Sequence, residues 1–229
     1  MKTVCVLQHT EAEYLGLLED HFEGRNIRFS YKRPFAAGGT VPADASGYDG
    51  LILLGGGPYG VVSGHLLPSL APELRLTRNF LDAGLPVVGI ELGAVMLAVA
   101  AGGGAEEAPL RFVVERARST RSEALGGHLP QTFPLAGYLR DRLVPPAGAD
   151  ILATLESGEP ALLSLRGNCL AFAGHPGMKS GMAEDLIMEF AETPPDTADA
   201  LAGLRASQAE IAEALTGIMV GIGQHTGWI

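Results

Sequence analysis

Apolar residues along the first half of the chain alternate between short continuous runs and stretches with helical spacing. Strand-like runs are predicted at 3–8, 27–31, 51–54 and 86–90. Helical spacing predicts helices at 11–22, 70–81 and 92–101, the second through Leu70, Leu74 and Leu81. Strands that alternate with helices imply parallel crossovers, and therefore a doubly wound, mostly parallel sheet covered by helices on both faces. The runs at 3–8, 51–54 and 86–90 lack polar alternation, so we expect them at its centre.

The second half of the chain has a less regular pattern. Strands are predicted at 111–116, 151–155, 161–166 and 169–173, and a helix at 180–190. The short Arg166-Gly167-Asn168 link is suited to join the last two strands as a hairpin. Residues 34–48 are predicted to be a loop. Between residues 119 and 150 turn residues dominate, and their role is left open.

A final helix is predicted after the break at Pro194-Pro195, with Asp196 or Thr197 as its cap. Its apolar positions are spaced by three and four residues, with Gln208 in the gap: Leu201, Leu204, Ile211, Leu215, Ile218 and Ile222. This spacing fits a dimerisation helix, but also a helix that docks on its own domain. We divide the chain into a domain at 1–192 and a helical extension at 193–229, packed on that domain or on a partner subunit.

Composition and charge narrow the class of protein. A net charge of −10 and no basic stripe argue against nucleic-acid binding and against polybasic attachment to membranes. Pro86 and Glu91 interrupt the most apolar stretch, 83–105, and no signal-peptide pattern opens the chain, so a cytoplasmic protein is expected. Cys5 and Cys169 form no metal or disulfide pattern, and both are expected to be inert, buried thiols. No metal and no cofactor is predicted.

Three segments carry candidate chemistry. Leu54-Gly55-Gly56-Gly57-Pro58 ends a buried strand, where it is either a tight turn or a set of backbone N–H donors for an anion. Gly89-Ile90-Glu91-Leu92-Gly93 has the pattern of a nucleophile elbow, with Glu91 presented at a helix N-terminus. Gly174-His175-Pro176-Gly177 ends a strand with a histidine that is either structural or a general base.

In this order and spacing, the three segments resemble the class I glutamine amidotransferase domain over roughly residues 1–190. That family has a glycine-Gly-Pro oxyanion turn, a Gly-x-Cys-x-Gly elbow and a terminal His-Pro-Glu. The resemblance implies a flavodoxin-like α/β fold with its site at the carboxyl ends of the strands. It also implies that Gly56, Gly57 and Leu92 are the oxyanion or ligand-binding positions, and that Glu91 and His175 stand at the nucleophile and base positions.

The departures from the family bear directly on activity. Glu91 replaces the cysteine, and Gly177 replaces the acid that would orient His175. An acyl-enzyme on Glu91 would be an anhydride, which is hard to form from an unactivated amide, so ordinary glutaminase activity is not expected. The leading hypothesis is a catalytically inactive subunit that binds a ligand, regulates or forms a complex. The alternative is an enzyme of altered chemistry, with Glu91 and His175 as an acid–base pair on a small nitrogen-containing substrate.

Partners follow from these hypotheses. A small-molecule ligand or a partner synthetase subunit is expected, and a homodimer through the final helix is an open alternative. Glu91 itself is expected to be strained and ionised. We expect its carboxylate to bond a main-chain N–H or His175, and to occupy the oxyanion position near Gly57 and Leu92.

Overall fold

The computed structural model describes residues 1–229. The helices are α1 (Leu18–Gly24), α2 (Leu70–Asp82), α3 (Leu92–Ala100), α4 (Ser180–Glu189) and α5 (Thr197–Thr226), with a short 3₁₀ turn at Ala124–Gly127. The strands are β1 (Thr3–Leu7), β2 (Arg28–Lys32), β3 (Gly50–Leu53), β4 (Tyr59–Gly60), β5 (His65–Leu66), β6 (Val87–Ile90), β7 (Gly104–Glu106), β8 (Arg111–Ser119), β9 (Thr132–Leu139), β10 (Arg142–Val144), β11 (Asp150–Leu155), β12 (Pro160–Leu165) and β13 (Cys169–Phe172).

A nine-stranded mixed sheet forms the centre of the molecule, in the order β2-β1-β3-β6-β13-β12-β11-β8-β9. Within this sheet β2, β1, β3, β6 and β13 run parallel, and the pairs from β13 through β12, β11 and β8 to β9 are antiparallel. The predicted central strands β1, β3 and β6 are neighbours, and none of them lies at an edge. The hairpin between β12 and β13 is also present, with Leu165 opposite Cys169.

Helices cover both faces of the sheet, because successive side chains of a buried strand point to opposite sides. Val4 and Val6 face a core that includes Phe22 of α1 and Leu215 of α5. Cys5 and Leu7 of the same strand face the other core, with α2 and α3. The three-layer, doubly wound architecture predicted from the sequence is therefore confirmed.

The predicted helix at 11–22 is wrong in its first half, because α1 begins only at Leu18. Gly16 has φ +62°, and a Cβ there would overlap the carbonyl oxygen of Gly177. The N–H of Leu17 donates to that same carbonyl at 3.0 Å. Backbone packing thus overrides helical spacing, and residues 8–17 form a loop, called here the 8–17 loop, at the carboxyl end of β1.

The segment at 119–150 is more ordered than its pattern indicated, since it contains β9 and β10. Strand β9 has the sequence TFPLAGYL, and its proline and glycine obscure the strand pattern. Proline lacks an N–H for the ladder, so it is tolerated where one side of a strand is unpaired. Strand β9 is the last strand of the sheet, which meets this condition.

Helix α5 packs along the sheet of its own domain. Leu215, Ile218 and Ile222 are buried in the same core as β1 and β3, and the following Trp228 joins them. This is the arrangement expected of a docked helix, while the boundary at residue 192 and a homodimer stay predictions. None of the helices has the length and apolar character needed to cross a bilayer.

Candidate functional site

The turn between β6 and α3 has the strained geometry of an elbow. Glu91 has φ +54° and ψ −115°, and its side chain is fully buried. A Cβ on Gly89 would overlap the backbone of Gly93, and a Cβ on Gly93 would overlap the carbonyl of Leu53. Close backbone packing on both sides therefore requires the two glycines, and it holds Glu91 in a conformation costly for a non-glycine residue. The predicted strain at Glu91 is confirmed.

The carboxyl group of Glu91 is bonded to the sheet rather than to the glycine turn. Its Oε1 accepts a hydrogen bond of 2.7 Å from the main-chain N–H of Tyr138, in β9. A main-chain N–H partner was expected, but the donor belongs to residues 119–150, whose structure the sequence pattern did not predict. The structure gives no hydrogen bond between Glu91 and Gly57.

Glu13, on the 8–17 loop, occupies the oxyanion position near Gly57 that was predicted for the carboxylate of Glu91. The N–H of Gly57 donates to Glu13 Oε2 at 2.5 Å, and the N–H of Glu13 donates to Thr10 Oγ1 at 3.1 Å. The glycine turn therefore does donate to an acidic group, but that group is the carboxyl of Glu13 in the same chain. Gly56 has a packing role, because a Cβ there would overlap the side chain of Leu92.

The carboxyl groups of Glu13 and Glu91 face each other beside Gly55. A Cβ at Gly55 would overlap both Glu13 Oε1 and Glu91 Oε2. Burial raises the pKa of Glu13 and the pKa of Glu91, and the N–H groups of Gly57 and Tyr138 oppose it only in part. The expectation of a freely ionised Glu91 is therefore corrected, because loss of water outweighs the helix N-terminus.

His175 is held by two hydrogen bonds that leave no nitrogen free for catalysis. Its Nε2–H donates to the carbonyl of Tyr14 at 2.9 Å, and its Nδ1 accepts from the N–H of Gly177 at 3.1 Å. Burial lowers the pKa of His175 to about 4, so the ring is neutral at neutral pH. No hydrogen bond joins His175 to Glu91. His175 ties the 8–17 loop to the turn after β13.

A buried pair, His9 and Glu73, lies beside the carboxyl groups and was missed from the sequence. His9 Nε2 lies 2.8 Å from Glu73 Oε2, and His9 Nδ1 lies 2.8 Å from the carbonyl oxygen of Gly55. Both side chains are fully buried. Burial lowers the pKa of His9, but the charge and hydrogen bond of Glu73 and the Gly55 carbonyl outweigh it and raise that pKa overall.

A sequence signal for this pair existed in the register of α2. Leu81 of the predicted stripe is buried, but Leu70 and Leu74 are only half-buried. The buried face of α2 instead includes Glu73, Leu76 and Phe80. A glutamate on the apolar face of a helix needs a partner. The polar residues directly after β1 were the available candidates for that partner.

A cavity of about 190 Å³ adjoins His9 and lies where β1, β2 and β3 end. It is lined by His9, Pro34, Phe35, Tyr59, Leu67, Pro68 and Ser69. Strands β2 and β3 lie on opposite sides of β1, so this is a point where the strand order reverses, the usual place for a ligand in an open α/β sheet. No group of three or more His, Cys, Asp or Glu side chains is placed to hold a metal ion.

The two cysteines lie away from solvent in the sheet. Both are free and buried, Cys5 in β1 and Cys169 in β13. Burial raises the pKa of Cys5 to about 12 and also raises the pKa of Cys169. Neither forms the thiolate that nucleophilic attack requires.

The sheet, the elbow after β6 and the glycine turn after β3 define a protein with the glutamine amidotransferase type of α/β fold. A glutamine amidotransferase from Methylobacillus flagellatus has the same architecture, with a TM-score of 0.83 and 22% identity over 99% of this chain and 96% of that one. A glutamine amidotransferase from Thermotoga maritima gives a TM-score of 0.80 at 20% identity, over 98% of both chains.

A more distant similarity is to a putative GMP synthase subunit from Thermoplasma acidophilum. Its TM-score is 0.59 at 19% identity, over 93% of this chain and 98% of that one. No protein-family model matches the sequence, and no curated protein matches it. The resemblance inferred from three short motifs is thus confirmed at the level of the fold. It extends beyond residue 190, because the matched structures also cover α5.

Proposed function

We propose that this chain is a catalytically inactive subunit with a glutamine amidotransferase-like fold, and that it acts by forming or regulating a complex. The observation that carries the proposal is the hydrogen bond from Gly57 N–H to the carboxyl group of Glu13. In an acyl-transfer enzyme this donor would stabilise the developing oxyanion. Here a carboxyl group of the same chain already holds it.

The other parts of the machinery support the same proposal. The elbow carries a buried carboxyl group in place of a thiol, and the two cysteines are placed in strands. His175 is neutral and uses both nitrogens for main-chain bonds. Since removal of one member of a catalytic triad typically costs about 10⁴-fold in rate or more, these departures together predict no measurable turnover.

Glutamate release from glutamine, followed at high protein concentration, tests the proposal. Wild type, Glu91→Cys and the double variant Glu13→Ala/Glu91→Cys are all expected to remain at the protein-free rate. The double variant frees the Gly57 donor and supplies a thiol, but it leaves His175 bonded to Tyr14. Release by the wild type that disappears in Glu91→Ala would overturn the proposal.

A role in complex formation is supported by apolar side chains exposed beside the glycine turn. Val62 and Leu66 are 50% and 53% exposed, on the segment that follows the turn. One structural neighbour is itself described as a synthase subunit. The chain isolated from its own cells is expected to elute with one defined second polypeptide, and Leu66→Asp should release it. The exposed substitution Glu23→Gln should not. Elution of the wild type alone would contradict this role.

Binding of a small ligand is a second candidate, favoured by the cavity next to His9. A thermal-shift screen over amino acids and amines is expected to identify a stabilising compound, and Tyr59→Ala is expected to abolish the shift because Tyr59 lines the cavity. A screen without any stabilising compound, or a shift unchanged in Tyr59→Ala, would count against this candidate.

A further inference from the structure

Two buried carboxyl oxygens meet without any hydrogen-bond donor between them. Glu13 Oε1 and Glu91 Oε2 are both inaccessible to water, and neither has a protein partner. Both contact the space over Gly55 that a side chain would fill. The other oxygen of each group is fixed, by Gly57 N–H for Glu13 and by Tyr138 N–H for Glu91. The main chain therefore holds the two groups face to face.

Two ionised carboxylates in this arrangement would repel each other in a medium of low dielectric constant. Each facing oxygen would also be a buried acceptor without a donor, which is costly. A single proton between the two oxygens removes both problems, since it makes one group a donor to the other. Close carboxyl pairs that share a proton are a known consequence of like charges that cannot both ionise.

We propose that Glu13 and Glu91 share one proton, and that this proton keeps the Glu13 side chain on the N–H of Gly57. Loss of the proton at alkaline pH makes the pair repel. Glu13 then leaves its position, and the Gly57 donor becomes free. The pair is thus a pH-sensitive latch over the glycine turn. The proposal goes beyond the proposed function and holds whether or not the chain has a partner.

The neighbouring groups do not supply a charge that could replace the proton. His9 lowers the pKa of Glu13, but burial and Glu91 outweigh it, and the positive charge of His9 is paired with Glu73. The Tyr138 hydroxyl is buried, and burial raises its pKa to about 12, with Glu13 and Glu192 adding to the shift. His175, packed under the 8–17 loop, is neutral. The pair therefore depends on its own proton.

Glu13 is the member of the pair that can move. Glu91 is fixed between a strand and a helix by the strained elbow. Glu13 lies on a loop without regular secondary structure. Its neighbours Glu11 and Ala12 are held by the exposed end of α4, through N–H bonds of 3.4 and 3.2 Å to Glu189. Because Glu189 and His175 hold the loop on either side of Glu13, we expect release by rotation of the Glu13 side chain.

Amide variants provide a direct test, because a side-chain N–H replaces the shared proton permanently. Glu91→Gln keeps an oxygen for Tyr138 N–H and turns its NH₂ group toward Glu13. Glu13→Gln does the same from the other side, with its oxygen on Gly57 N–H. Melting temperatures are measured from about pH 5.5 to about pH 9 for both variants, the wild type and the exposed control Glu23→Gln.

The folded wild type binds one proton more than the unfolded chain once the pH exceeds the ordinary carboxyl range, so its stability falls as the pH rises through the raised pKa. By about pH 9, we expect the melting temperatures of wild type and Glu23→Gln to fall by about 5 °C or more relative to those of both amide variants. Hydrogen exchange of the Gly57 amide with solvent, followed by NMR, should become several-fold faster in wild type than in Glu91→Gln over the same pH range.

Any one of three other results would overturn the proposal of a shared proton that controls the glycine turn. Parallel pH profiles for wild type and both amide variants would mean that no shared proton is lost in this range. Alkaline stability of the wild type restored by sodium or potassium ions, but not by a bulky organic cation, would mean that a metal cation rather than a proton joins the pair. Equal Gly57 exchange in wild type and Glu91→Gln, despite different melting profiles, would mean that the proton does not control the turn.

Discussion

The buried pair of His9 and Glu73 offers a sharp test of how the site is held together. The Gly55 carbonyl can only accept, so the 2.8 Å contact at His9 Nδ1 requires a proton on that nitrogen. Nε2 then depends on Glu73, also at 2.8 Å, and both side chains are 0% exposed. Glu73→Ala leaves an unpaired nitrogen or an unpaired charge in the interior. Breaking a buried pair in this way costs about 3–5 kcal/mol.

Urea unfolding provides the assay, with fluorescence of Trp228, the single tryptophan, as the signal. Glu73→Gln should recover most of the loss, because its NH₂ group can donate to the Nε2 of a neutral imidazole. Arg75→Ala, exposed on the same helix, is the matched control. The raised pKa of His9 makes the pair's contribution complete below the ordinary histidine pKa of 6.5, and it is lost as the pH rises through the folded value. If Glu73→Ala stays within about 0.5 kcal/mol of Arg75→Ala near pH 6, the reasoning is refuted.

Three further predictions concern packing and pH. Gly55→Ala should lower the free energy of unfolding by about 1–3 kcal/mol, since its Cβ would overlap two buried carboxyl oxygens, whereas Gly24→Ala, in open space, should not lower it in the same urea titration. Leu215→Ala should cost about 2–5 kcal/mol because this side chain of α5 is fully buried against the sheet, and an unchanged urea midpoint would mean that α5 does not dock. The pKa of His175 is lowered to about 4, so the unfolded chain binds more protons below the ordinary value of 6.5 and stability should fall as the pH drops through this range. A flat acid profile in the wild type, or the same slope in His175→Gln, would contradict that assignment.

Local patterns were sufficient for the parallel half of the sheet. Strands β1, β3 and β6 are continuous apolar runs because both of their faces are buried, which is typical of the centre of a parallel sheet. The elbow could be recognised for a similar reason. Its two glycines are demanded by backbone contacts within a few residues of Glu91, so the constraint appears in the sequence itself.

Strand β9 and the first half of the predicted helix at 11–22 depend on contacts that are distant in sequence. Strand β9 pairs with β8 at the edge of the sheet, where Pro134 is tolerated although it weakens any strand pattern. The 8–17 loop is not helical because Gly16 packs on Gly177, far along the chain. No local periodicity reports on such a contact.

The sequence by itself determined the doubly wound class, the strained elbow at Glu91 and the absence of a thiol there, since each follows from residue identity and short-range spacing. Only the tertiary structure decided what those residues contact. In the folded chain the N–H of Gly57 donates to Glu13 and the N–H of Tyr138 donates to Glu91. His175 donates to the carbonyl of Tyr14. The charge of a carboxyl group and the role of an imidazole depend on burial and on partners from other segments, and these exist only once the chain has folded.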